Sequence, residues 1–163
     1  MPTPTYVPLS TITLASTDSE IVFSSIPATY RDLIVVTDSL ITNPNTTDSL
    51  GVRFNGDTSS NYSWVRMVGT GSTTASASGT TNLGYSGVIG PANKTPSVIQ
   101  VMDYSATDKH KTIISRSGGG SAAWVTAFAT RWANTSAVTS IAIRTDGSHS
   151  FTIGSTFSLY GVN

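Results

Sequence analysis

The side chains able to break or transfer bonds are few. His110 and His149 are the two histidines, and cysteine is absent. A serine nucleophile needs a histidine base within hydrogen-bond reach and a carboxylate behind it. Serine is abundant enough here that Ser, His and Asp co-occur by chance, and no Gly-x-Ser-x-Gly elbow appears. His149 follows Asp146-Gly147-Ser148 and reads as the tip of a hairpin. His110 stands between Lys109 and Lys111 and reads as a solvated loop residue. Glycoside hydrolysis needs two carboxylates whose surroundings push their pKa values apart. Of the nine acids, Asp18, Asp38, Asp48, Asp57, Asp108 and Asp146 lie beside turn signals, where an aspartate usually bonds its own backbone. Two distant histidines make no zinc set, and neither a calcium loop nor a phosphate loop is present. The expectation is a protein that is not an enzyme, with no catalytic, cofactor-binding or metal-ligating residue and no cofactor.

Aromatic side chains offer binding instead of chemistry. Trp64, Trp124 and Trp132 are candidates to stack on a sugar or anchor a partner. The competing reading fills the core with them, and it is the favoured one. Asn45, Asn61, Asn93 and Asn134 each open an Asn-x-Ser/Thr triplet, which a chain this rich in hydroxyls generates by chance.

The elements that must position these residues follow from composition. The chain has 163 residues, so length argues for one domain. Ser and Thr number 51, against one glutamate (Glu20) and three lysines (Lys94, Lys109, Lys111). Amphipathic helices solvate one face with Glu and Lys, and that material is missing. Thr, Val and Ile suit a pleated surface. The net charge of zero removes the basic footprint of a nucleic-acid binder. No apolar run is long enough to span a membrane, and Met1 to Ser10 lacks the pattern of a signal peptide. The partners expected are therefore neither nucleic acid nor membrane.

Short apolar runs cut by turn residues predict an all-β, two-sheet antiparallel β-sandwich, jelly-roll-like, with nine or ten strands. Residues 1–18 read as a Pro-containing arm or edge strand, because Pro8 cannot donate to a ladder. Residues 19–163 read as the single sandwich domain. Leu33 to Val36 predicts a central strand buried on both faces. Asn55-Gly56-Asp57 predicts a hairpin joining Leu50–Phe54 to Tyr62–Val68, and Asp146-Gly147 a second one leading to Phe151–Ile153. Gly69 to Gly84, a Gly/Ser/Thr/Ala tract, reads as a long mobile loop. Ala122 to Trp132 reads as a strand with Trp124, Phe128 and Trp132 on one face and small Val125, Ala127 and Ala129 on the other.

Three segments carry a resemblance: IVFSSIPATYRDLIVV (Ile21 to Val36), LGVRFNGDTSSNYS (Leu50 to Ser63) and ANTSAVTSIAIRTDGSHSFTIGSTFSLYGV (Ala133 to Val162). The chain resembles a family of β-rich virion proteins of tailed bacteriophages, of the kind found in cyanophages. The resemblance covers nearly the whole chain, and F-x-S-I-P-x-T-Y-x-D-L and R-F-N-G-D-x-x-x-N-Y are its more specific motifs. It implies a structural role in the virion, made in the host cytoplasm and assembled on the particle. It carries no catalytic residue over, and it implies a homo-oligomer, a trimer.

Two readings follow from that resemblance. The first is a head decoration, or cement, protein binding the major capsid protein or other virion proteins. The chain's 163 residues without shaft repeats favour it. The second is a tail fibre or receptor-binding module recognising host surface glycan. A carbohydrate-active enzyme is a third, which predicts cleavage of host polysaccharide that fails when His110, His149 or the acids are replaced.

Overall fold

The computed structural model describes residues 4–43, 45–119, 124–147 and 149–163. Among these residues, twelve strands form two antiparallel sheets. They are β1 (Tyr6–Thr13), β2 (Glu20–Phe23), β3 (Asp32–Ser39), β4 (Asp48–Phe54), β5 (Tyr62–Gly69) and β6 (Thr74–Thr81), then β7 (Gly84–Ile89), β8 (Thr95–Met102), β9 (Lys111–Gly118), β10 (Val125–Trp132), β11 (Ile141–Thr145) and β12 (Thr156–Val162). The large sheet runs β1-β12-β3-β8-β9-β10-β5-β6, and the small sheet runs β2-β11-β4-β7. The all-β sandwich is as the sequence predicts. No helix long and apolar enough to cross a membrane occurs among the described residues.

Alternation builds the core. Leu33 and Val35 on β3, Ile99 and Val101 on β8, Ile113 on β9 and Leu159 on β12 face inward, against Leu50, Val52 and Phe54 of β4 and Ile141 and Ile143 of β11. An aromatic group closes one end: Trp132 lies 5.3 Å from Phe54 and stacks on Tyr62 at 6.3 Å. Toward the other end the interior turns hydroxyl-rich. Thr37, Ser39, Ser97 and Ser115 are buried there, and none of their hydroxyls has a hydrogen-bond partner in the protein.

β1 is an edge strand, as Pro8 requires, and its register with β12 breaks between Pro8 and Ser10. Met1 to Thr3 of the expected arm lie outside the described residues.

Five expectations need correction. The described strands number twelve, not nine or ten. β3 is buried on one face only: Val36 is 39% exposed, because among the described residues nothing covers the outside of the large sheet. The turn at Asn55-Gly56 forms, with φ of 52° and 70°, but it joins no hairpin. β4 belongs to the small sheet and β5 to the large one, so the turn carries the chain from one layer to the other. Asp146-Gly147 likewise leads to no paired strand; Phe151 instead makes single bridges to Asp18 and Ile41. The tract Gly69 to Gly84 is not a loop. It holds β6, paired along its whole length with β5. Ladder hydrogen bonds need no buried side chain, so a strand of small hydroxyls can form at an edge on backbone pairing alone.

Candidate functional site

The two histidines have different surroundings. His110 is exposed in the segment before β9. His149 is not a hairpin tip: its Nδ1 lies 3.0 Å from Asp48 Oδ2. Asp48, at the start of β4, also accepts hydrogen bonds at Oδ1 from the Ser49 amide (2.7 Å) and the Gly147 amide (3.1 Å). The partners set the tautomer: Nδ1–H donates to the carboxylate, and Nε2 faces the Asn43 amide nitrogen at 3.4 Å. A base acts through a free Nε2 at substrate. Here Asn43 occupies that position, and the pair serves to fasten the β11–β12 connection to β4.

The other carboxylates also work locally. Asp18 accepts from the Glu20 amide and Asp57 from the Ser59 amide, the short backbone loops expected beside turns. Asp57 does more. Its Oδ2 accepts from Asn61 Nδ2 and Trp132 Nε1, both at 2.8 Å. Burial pushes this carboxyl up, but the bonds from Asn61, Ser59 and Trp132 outweigh it and hold the carboxyl at about 2. Asp146 accepts from the Tyr85 hydroxyl. Among the described residues, no three acids or histidines converge as a metal would require.

Lys111 is a titratable group that the sequence pattern hides. It is fully buried, and its Nζ donates to the carbonyls of Lys109 (3.0 Å) and Thr135 (3.2 Å). Burial pushes its amine down from the ordinary lysine value. A depressed amine suits nucleophilic chemistry only where substrate reaches it. This one is sealed and ties two loops together.

The tryptophans divide. Trp132 is core, as favoured above. Trp64 faces inward from β5, half-buried, 5.1 Å from Tyr85 and 6.2 Å from Phe128. Trp124 is half-buried just before β10. A shallow hollow of about 450 Å³ beside Trp64 is lined by Ser63, Val65, Gly79, Thr80 and Arg131, among others.

The surface that sequence reasoning missed is the outside of the large sheet. Val36, Val65, Met67, Met102, Ile114 and Val125 all project there, each 39% exposed or more. Register aligns them in rows across the strands. One row runs Val36, Val98, Arg116, Ala127, Met67; the next runs Ile34, Gln100, Ile114, Ala129, Val65. From β8 to β6 the outward positions include the guanidiniums of Arg116 and Arg131 and no carboxylate. The available signal was the small face of β10, with Val125, Ala127 and Ala129; what it lacked was any indication that no second layer covers it.

No family model, no curated protein and no solved structure matches this chain. The class that the geometry defines is therefore the fold class: an antiparallel β-sandwich with one broad uncovered face.

Proposed function

We propose that the protein is a non-enzymatic structural protein of a tailed-phage virion, a head decoration protein that binds neighbouring capsid subunits. The observation that carries this reading is the uncovered face of the eight-stranded sheet. Six exposed apolar side chains, five of them on β8, β9, β10 and β5 where the outward positions carry no carboxylate, suit a protein surface, since interface centres are depleted in charge. The virion context rests on the resemblance of Ile21 to Val36 and Leu50 to Ser63 to tailed-phage virion proteins, which is read from the sequence alone. Many copies, each burying on the order of 1,000 Å², would brace a shell without any single strong bond.

The experiment is addition of purified protein to phage heads stripped of decoration, with copies counted per particle. The reading expects saturation at hundreds of copies and loss of binding in a Val36→Glu/Ile114→Lys variant that keeps its melting temperature. Saturation at a few dozen copies confined to the tail would favour the second reading, a receptor-binding module. That reading has the hollow beside Trp64 in its favour, where Ser63, Thr80 and Arg131 offer hydrogen bonds to a glycan. Binding to neither heads nor tails would overturn both.

A further inference from the structure

A sheet edge exposes unpaired N–H and C=O groups, and proteins blunt such edges to prevent pairing with another chain. Three of the four edges here are blunted. β1 carries Pro8 and an irregular register. β2 has only four residues. β7 has a bulge opposite Leu50/Gly51, and hydroxyls of the large sheet reach its backbone: Ser117 Oγ accepts from the Val88 amide at 3.1 Å, and Thr130 Oγ1 donates to the Tyr85 carbonyl. β6 has none of these devices. It is eight residues long, regular in register, and free of proline and of charge.

The pairing pattern tells which groups of β6 are open. The turn before it closes with the Thr70 amide donating to the Thr73 carbonyl at 2.9 Å, which makes that pair a hydrogen-bonded one. Bonded pairs recur at every second position. Along the β5–β6 register the bonded residues are thus Ala75, Ala77, Gly79 and Thr81. The amides and carbonyls of Thr74, Ser76, Ser78 and Thr80 point away from the sheet. Among the described residues no hydrogen bond reaches them.

We propose that β6 is a homodimerisation edge: it pairs antiparallel with β6 of a second copy about a two-fold axis normal to the sheet. Directly opposed residues must share a face, so the axis falls on a residue. Centred at Ala77, it sets Ser76 opposite Ser78 of the second copy and Thr74 opposite Thr80. These are the residues whose backbone groups are open, and each opposed pair exchanges two hydrogen bonds. Ala77 meets its own copy in the closer, non-bonded position, where a methyl group fits. The occupant is a second copy because β6 is self-complementary in this register. Every contact in it is small or hydroxylic, and no like charges oppose. The joint also continues the rows of the uncovered face, placing Met67 and Val65 of both copies on either side of the axis.

The inference does not rest on the virion reading, departs from the trimer that the resemblance implies, and is tested first on the protein alone. Sedimentation equilibrium up to ~100 μM, a range where modest interfaces register, is expected to show a species of twice 17.0 kDa. Ser78→Pro removes only an outward amide, so the fold is expected to survive while the dimer is lost. Ser76→Lys/Ser78→Lys is also expected to be monomeric, its melting temperature unchanged. Mixing it with Ser76→Glu/Ser78→Glu is expected to restore a mixed dimer, because position 76 faces position 78 across the axis. A wild-type monomer or trimer, or a dimer unaffected by these substitutions, overturns the proposal. A wild-type monomer whose Ser78→Pro variant no longer decorates heads overturns it too, and assigns the edge to a capsid strand.

Discussion

At the scale of single residues, buried polar groups decide which substitutions matter. Asp57 is the acceptor for three donors, two on its own β4–β5 connection and one a core tryptophan. Replacing it with alanine orphans the Trp132 and Asn61 donors, and a loss of about 1–3 kcal/mol in denaturant midpoint analysis is expected. Its carboxyl, held at about 2, sits below the ordinary 3.8. The folded state therefore binds fewer protons than the unfolded state in that interval. The stability Asp57 provides is fully present above pH 3.8 and drains away as pH falls through about 2. Asp57→Asn is expected to flatten that acid limb. Tyr62 works at the opposite end. Its phenol is pushed up to about 12, first by burial, while its oxygen accepts from the Phe54 amide at 2.9 Å. Its contribution is whole below pH 10 and is lost as pH rises toward 12, so Tyr62→Phe is expected to weaken the alkaline loss seen in a pH series of melting temperatures. Thr37 is the converse case. Its hydroxyl is buried without a protein partner, and the isosteric Thr37→Val is expected to raise stability by about 1 kcal/mol in chemical denaturation. The short aspartate-to-backbone loops were legible in the sequence, since Asp-x-Ser and Asp-x-Glu spacings encode them. The Asp48–His149 pair was not, because its members are 101 residues apart.

At the scale of elements, the layer-crossing turn after β4 is the informative one. Asn55 holds a left-handed φ, and its side chain bonds the neighbouring segment that leads into β11. Oδ1 accepts from the Thr139 amide (2.8 Å) and the Ser140 amide (3.1 Å), and Nδ2 donates to the Ala137 carbonyl (2.8 Å). Asn55→Ala removes all three and keeps the strained φ, so a loss of about 2 kcal/mol or more is expected in thermal or denaturant unfolding. Asn55→Asp keeps the acceptor and is expected to cost less. Turn chemistry at Asn55-Gly56 was readable locally, whereas the destination of the chain was not. A left-handed turn serves a hairpin and a corner equally well, and only the pairing of β4 with β11 and β7 distinguishes them. β6 escaped for a related reason: its small residues give no hydrophobic period, and its order comes from β5.

At the scale of the molecule, the unequal sheets set what the surface can do. Four strands cannot cover eight, and both faces of the large sheet carry apolar side chains. The inner set is sealed by the small sheet; the outer set is not. Charge on the outer face is expected to change binding and leave folding intact, because exposed substitutions away from special features alter stability by less than about 0.5 kcal/mol. Met102→Lys, which lies far from β6, is expected to weaken head binding at least tenfold with an unchanged melting temperature, by titration against stripped heads.

The sequence alone determined the class of fold. A chain of Ser, Thr, Val and Ile with almost no Glu or Lys has the material for pleated surfaces and lacks it for helices. It also determined where the chain turns, because Gly, Asn and Pro act on their own backbone. The tertiary structure decided which strands share a sheet, which face stays bare and which edge stays open. Those outcomes depend on pairings between residues distant in the chain, and side-chain alternation specifies two faces without specifying which of them meets a neighbour.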